Sequence, residues 1–89
     1  MAWRIEYDLA VRKTIEKLDR QMRERIRDFL HNRISKLDDP RQNGKALKGS
    51  TLGNFWRYRV GDYRIICDIQ DKKLIVLVVE IGHRRDVYR

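Results

Sequence analysis

Between Phe55 and Ile69 the sequence alternates in steps of two around Gly61-Asp62, and no other stretch leaves the chain so little freedom. A two-residue hairpin loop pairs Val60 with Tyr63 and so sets Arg59 opposite Arg64. By the same period Arg57 shares the Arg59 face, while Trp56, Tyr58 and Val60 point the other way. One face of a sheet is therefore expected to carry three guanidiniums. Like charges directly opposed weaken a sheet by about a few tenths of a kcal/mol or more, so this arrangement calls for an anion. Phosphate suits it, because the rigid guanidinium fork matches its oxygens in a bidentate way.

The flanking patterns supply the rest of the fold. Trp3, Ile5 and Tyr7 alternate with Arg4 and Glu6, which predicts a short strand over Ala2 to Tyr7, with Asp8 as a helix cap. Val11, Ile15 and Leu18 form one apolar stripe of a helix ending near Asp19. From about Gln21, the spacing of Met22, Ile26, Phe29, Leu30, Ile34 and Leu37 predicts a longer amphipathic helix, stopped by Asp39-Pro40. Its polar side, with Arg20, Arg23, Arg27 and Lys36, reads as a solvated face. Arg41 to Gly53 is polar and reads as a loop. Strands follow over Asn54 to Val60, Tyr63 to Gln70 and Lys73 to Ile81, with a second turn at Asp71-Lys72. The unbroken apolar run Leu74 to Val79 suits a central strand covered on both faces. The order β-α-α-β-β-β implies one α+β domain over residues 1–89, a two-helix hairpin packed on one side of a twisted four-stranded sheet.

The charge points to a polyanionic partner. With 21 Lys+Arg against 13 Asp+Glu, the net charge of +8 on 89 residues makes a strong field, and nucleic acid is the first candidate. A hydrophobic content of 42% is more than a disordered chain carries. The single cysteine, Cys67, cannot form an internal disulfide, and no stretch has the pattern of a membrane span or a signal peptide, so a cytoplasmic setting is expected. Cys67 falls in phase with Tyr63, Ile65 and Ile69 and reads as a small core residue rather than a nucleophile. One Cys and two His make no metal-binding pattern, no glycine-rich phosphate loop is present, and no cofactor is expected. His31, on the long helix, has no nameable partner and reads as surface or boundary packing.

The C-terminal segment Gly82-His83-Arg84-Arg85-Asp86-Val87-Tyr88-Arg89 contains the groups that metal-free RNA cleavage requires. Such a reaction takes a proton from a 2′-hydroxyl, stabilises the charge on a phosphorane and protonates the leaving 5′-oxygen. Arginine answers the second need. Tyrosine or histidine answers the first and third, tyrosine only where cations lower a reference pKa near 10.

Four segments together, Lys45-Ala46-Leu47-Lys48-Gly49, Trp56-Arg57-Tyr58-Arg59, Tyr63-Arg64-Ile65-Ile66 and Gly82-His83-Arg84-Arg85-Asp86-Val87-Tyr88, resemble the RelE family of toxin–antitoxin systems over nearly the whole chain. The resemblance implies the same β-α-α-β-β-β order and a small basic ribonuclease that enters the A site of the 70S ribosome and cuts the mRNA there. It also implies a partner, an acidic RelB-like antitoxin, partly disordered, wrapping the basic surface. By position, Arg64 matches the strand arginine that stabilises the phosphate. Arg84 matches one implicated in transition-state stabilisation or leaving-group protonation, and Tyr88 matches the base. Arg57 and Arg59 stand where relatives place phosphate-binding lysines, which keeps the charge and changes a point charge to a fork. Lys45, Lys48 and Arg85 are expected to dock RNA electrostatically.

His83 stands open between general acid or base, base-stacking group and structural contact, and Asp86 is expected to orient its arginine neighbours or the backbone. The sequence ends one residue past Tyr88, where several members continue into a C-terminal helix that the antitoxin displaces, so inhibition is expected to differ here. Two rivals share these features: a ParE-like toxin that poisons DNA gyrase, and a non-catalytic RNA- or ribosome-binding module.

Overall fold

Asp19 divides the helical segment in two. Its carboxylate accepts the Met22 N–H at 2.7 Å, capping the second helix as the first ends at Leu18. The structure is a computed structural model and describes residues 2–47 and 55–83. Along the chain it runs β1 (Arg4–Tyr7), α1 (Leu9–Lys17), α2 (Arg20–Asp28), β2 (Lys45–Ala46), β3 (Phe55–Val60), β4 (Tyr63–Gln70) and β5 (Ile75–His83). Asp8 occupies the cap position of α1 without a side-chain hydrogen bond, while its backbone N–H bonds Val78 O at 3.0 Å.

The five strands form one sheet in the order β1-β5-β4-β3-β2, with only the β1–β5 pair parallel. The helices cover one face. Ile26, Leu30 and Ile34 from the α2 side meet Tyr58, Ile65, Cys67, Val76 and Val78 from the sheet in a single cluster. Leu30 and Ile34 are fully buried, each worth about 1.5–3 kcal/mol relative to exposure.

Four details depart from the sequence-based expectation. The sheet has five strands rather than four, because Lys45 and Ala46, within the segment expected to be loop, pair with Arg57 and Trp56. The second helix does not run to Asp39-Pro40. It widens into a π-helical turn at Phe29–Arg33, tightens at Ile34–Lys36, and ends with Leu37 extended, so Pro40 instead opens a separate short turn, Pro40–Gln42. The apolar run near Leu74 is not covered equally on both faces. Val76 and Val78 are fully buried, whereas Ile75, Leu77 and Val79 are half-buried and Leu74 lies outside β5 in a left-handed conformation with φ of 53°. Finally, the β4–β5 register shifts between Ile66, opposite Glu80, and Cys67, opposite Val78, leaving Val79 as a bulge.

The segment leading into β2 is fastened by aromatic donors. Trp3 Nε1 donates to Asp38 O at 3.3 Å, the Tyr58 hydroxyl to Pro40 O at 2.8 Å and Trp56 Nε1 to Asn43 O at 2.5 Å. Arg41 clasps Asp71 with two bonds of 3.0 and 2.7 Å, tying this segment to the β4–β5 turn. Gly44 then turns into β2 at φ of +80°, where a Cβ would clash with Arg57 O, so only glycine fits.

Candidate active site on the arginine face of the sheet

Register builds the site in two adjacent rows. In the first, Arg59 pairs with Arg64 and Arg64 with Gly82; in the second, Lys45 pairs with Arg57, Arg57 with Ile66 and Ile66 with Glu80. All of these lie on the face away from the core, since the alternate positions Tyr58, Val60 and Ile65 are buried against the helices. The three guanidiniums expected on one face are there, and Lys45 joins them through the unforeseen β2.

The arginines differ in setting. Arg59 is exposed and Arg57 half-buried, but Arg64 keeps only 3% of its surface. A buried guanidinium is tolerable only when hydrogen-bonded, and among the described residues no buried side-chain nitrogen or oxygen lacks a partner. Arg64 is thus held in place rather than sampling solvent, which suits a group that must meet charge at a fixed position. A cavity of about 260 Å³ opens at β2 and β3, lined by Gly44, Lys45, Arg57, Tyr58 and Arg59, the cross-strand partner of Arg64. The glycine that permits the turn into β2 also forms the wall of this cavity.

Glu80 is the site residue that the sequence did not reveal. Counting by twos from Val76 would point it into the core, but the Val79 bulge reverses the alternation and returns it, exposed, to the arginine face. It sits diagonal to Arg64, a spacing that long side chains can bridge. A carboxylate there offsets part of the arginine self-repulsion and contests the anion-binding role.

His83 is not brought to the arginines. It lies opposite Tyr63, and the two rings meet edge-on with centroids 5.4 Å apart. That pairing puts it on the other face of the sheet, as a ring contact. Arg84, Arg85, Asp86 and Tyr88, together with Lys48, lie outside the described residues.

Cys67 is fully buried, and burial followed by the nearby Asp68 pushes its thiol far above the ordinary range, which removes it as a nucleophile. His31 does have a partner: its Nε2 lies 2.8 Å from the Tyr7 hydroxyl. Burial raises the Tyr7 pKa, Arg27 opposing, while burial and then Arg27 lower that of His31. Among the described residues no three His, Cys, Asp or Glu side chains are grouped to hold a metal, and no helix is long and apolar enough to cross a membrane.

Residues 5–88 match the model of the ParE toxin of type II toxin–antitoxin systems. The chain is 27% identical to the toxin RelG of Mycobacterium tuberculosis over 89 residues, 100% of this chain and 99% of that one. It is 27% identical to the mRNA interferase toxin RelE of Escherichia coli over 84 residues, 94% of this chain and 85% of that one. In structure it is similar to the RelBE2 toxin–antitoxin complex of Mycobacterium tuberculosis, with a TM-score of 0.82 at 23% identity, covering 94% of this chain and 93% of that chain. A family match over nearly its whole length, together with a RelE-like fold, makes this chain a member of the ParE toxin family of type II toxin–antitoxin systems, within the RelE/ParE superfamily.

Proposed function

We propose that this toxin is a ribosome-dependent mRNA endonuclease that cuts without a metal in the A site and so stops translation. The observation that carries the reading is the arginine face, where Arg64 is buried and held opposite Arg59 with Arg57 and Lys45 in the neighbouring row. Such an array is organised for phosphate before substrate arrives, which is the condition for electrostatic stabilisation of a transition state. The relatives named RelG and RelE support it, the latter being an mRNA interferase.

In this mechanism Arg57 and Arg59 seat the scissile phosphate, with Lys45, Lys48 and Arg85 drawing the RNA in. Tyr88 takes the 2′-hydroxyl proton as the 2′-oxygen bonds to phosphorus. Arg64 and Arg84 stabilise the charge on the phosphorane. The bond from phosphorus to the 5′-oxygen then breaks, that oxygen gains a proton, and a 2′,3′-cyclic phosphate remains. Its ring contact with Tyr63 gives His83 a structural part in this scheme. An acidic RelB-like antitoxin neutralises the toxin, as the toxin–antitoxin complex of its structural relative suggests.

The test is the end group of the product. Wild-type protein on ribosomes programmed with mRNA should yield a 2′,3′-cyclic phosphate at the A-site codon, with naked RNA as the control and EDTA leaving cleavage of any susceptible RNA intact. Tyr88→Phe should abolish cleavage and leave binding nearly unchanged. One observation favours a second reading, the match to a family model described by ParE. On that reading folded wild type cuts no RNA and instead inhibits DNA gyrase.

A further inference from the structure

Two residues along β3 from Arg57, on the same face of the sheet, stands an aromatic ring that the core does not use. Phe55 pairs with Asp68 and Asp68 with Leu77, while Leu47 continues the line of β2, its N–H donating to Phe55 O at 3.2 Å. Strand alternation sets these residues on the arginine face, as a third row beside that of Lys45, Arg57, Ile66 and Glu80. Leu47, Phe55 and Leu77 are half-buried, and none of them packs against the core cluster, which lies on the other face. Among the described residues Phe55 stacks on no other ring. Asp68, between Phe55 and Leu77, accepts a hydrogen bond from Gln70 Nε2 at 3.1 Å.

Core packing does not account for this row. An antiparallel sheet covered by helices on one side ordinarily turns polar side chains outward on the other. Here an aromatic ring and two leucines point outward, and the rise of two strand residues puts Phe55 only about 6.5 Å along the strand from Arg57. Single-stranded nucleic acid has the matching profile, a charged backbone beside flat bases whose faces stack on aromatic side chains. A phosphate seated on Arg57 and Arg59 brings the adjoining base to Phe55. The Asp68 carboxylate repels a second phosphate from the same row, so a base rather than backbone belongs there.

We propose that Phe55 is a base-stacking platform of the RNA site, flanked by Leu47 and Leu77, which holds the nucleobase next to the phosphate on Arg57. The proposal rests on the nuclease reading above for RNA as the ligand. Stacking engages the face of a base and not its hydrogen-bonding edge, so the platform tightens binding and tolerates any base sequence.

The test sets a labelled single-stranded RNA against the same ribose-phosphate chain without bases, both followed by fluorescence anisotropy on the full chain. Wild type should bind the RNA about tenfold more tightly than the abasic chain. Phe55→Leu keeps an apolar side chain and removes the ring face. It should lower RNA affinity about fivefold or more and leave the abasic chain unchanged, whereas Phe55→Tyr should keep most of the RNA affinity. Arg57→Gln, by contrast, should weaken both ligands alike. Equal wild-type affinity for RNA and abasic chain overturns the proposal without any variant. So does Phe55→Leu that melts with the wild type and binds RNA as tightly, which would give the apolar row to a protein partner instead. A loss that Phe55→Leu inflicts equally on both ligands overturns it too. No cleavage is measured, so a protein that cuts mRNA yet binds both chains alike contradicts this inference and leaves the nuclease reading standing.

Discussion

Arg59 and Arg64 show what the site asks of the fold. Two guanidiniums directly opposed in an antiparallel pair repel, and stability alone would favour almost any neutral β-former at the exposed member. Arg59→Thr is therefore expected to stabilise the protein by roughly 0.2–1 kcal/mol while weakening RNA binding. Thermal melting and RNA titration on one preparation check both signs; a fall in melting temperature would mean that the arginine pair is structural. Glu80 makes the complementary case. Removing the carboxylate that the register sets diagonal to Arg64, as Glu80→Gln, should tighten RNA binding, measured by titration at fixed salt. This pair of residues also marks where sequence reading succeeds and fails. Arg59 falls opposite Arg64 on sequence alone because Gly61-Asp62 fixes the loop length and strand parity does the rest. The face of Glu80 is hidden from the sequence because a single bulge at Val79 reverses parity, and nothing in an apolar run such as Ile75-Val76-Leu77-Val78-Val79 marks which residue is extra.

The elements that aim these side chains have requirements of their own. β2 exists because the preceding segment is held by Trp3, Tyr58, Trp56 and the Arg41–Asp71 clasp, and because Gly44 turns where a Cβ would strike Arg57 O. Gly44→Ala combines that clash with an unfavourable positive φ and should cost about 1–3 kcal/mol, read by chemical denaturation, with a loss of RNA affinity as Lys45 moves away from Arg57. A two-residue strand has no alternation to detect, so the polar stretch around Lys45 reads as loop. The π-helical turn was illegible for a similar reason: Leu30 and Ile34 keep the spacing of a regular helix, and only the Tyr7–His31 contact shows what the irregular turn presents. The setting of His31 predicts a pH dependence. The His31 pKa is lowered in the fold by burial and by Arg27, so the folded protein binds fewer protons than the unfolded chain between the two values. Its stabilising contribution is complete above the unfolded pKa of about 6.5 and is lost as pH falls through the folded value. Stability of the wild type should therefore fall below about pH 6 more steeply than that of His31→Gln; parallel curves would show that folding leaves the His31 pKa unchanged.

Taken as a whole, the molecule sets a face of the sheet rich in arginine on one side and its helices on the other, with the core between sheet and helices. Its net charge of +8 gives long-range attraction to RNA, so affinity should fall steeply with added salt, and Arg57→Gln or Arg59→Thr should flatten the slope. The layer order was legible because the apolar periods of the helices and strands differ, and the helix stripe of Val11, Ile26, Leu30 and Ile34 finds its partner in Tyr58, Ile65, Val76 and Val78. What joins fold to function is Arg64, buried to 3% exposure on the sheet face that also carries Arg57, Arg59 and Lys45. The deciding experiment is the single-turnover rate of A-site mRNA cleavage for Arg64→Ala beside wild type, on ribosomes bound to saturation by either protein. A transition-state role predicts a fall of about a hundredfold or more with ribosome binding little changed. A folded Arg64→Ala protein that cleaves at the wild-type rate would contradict it.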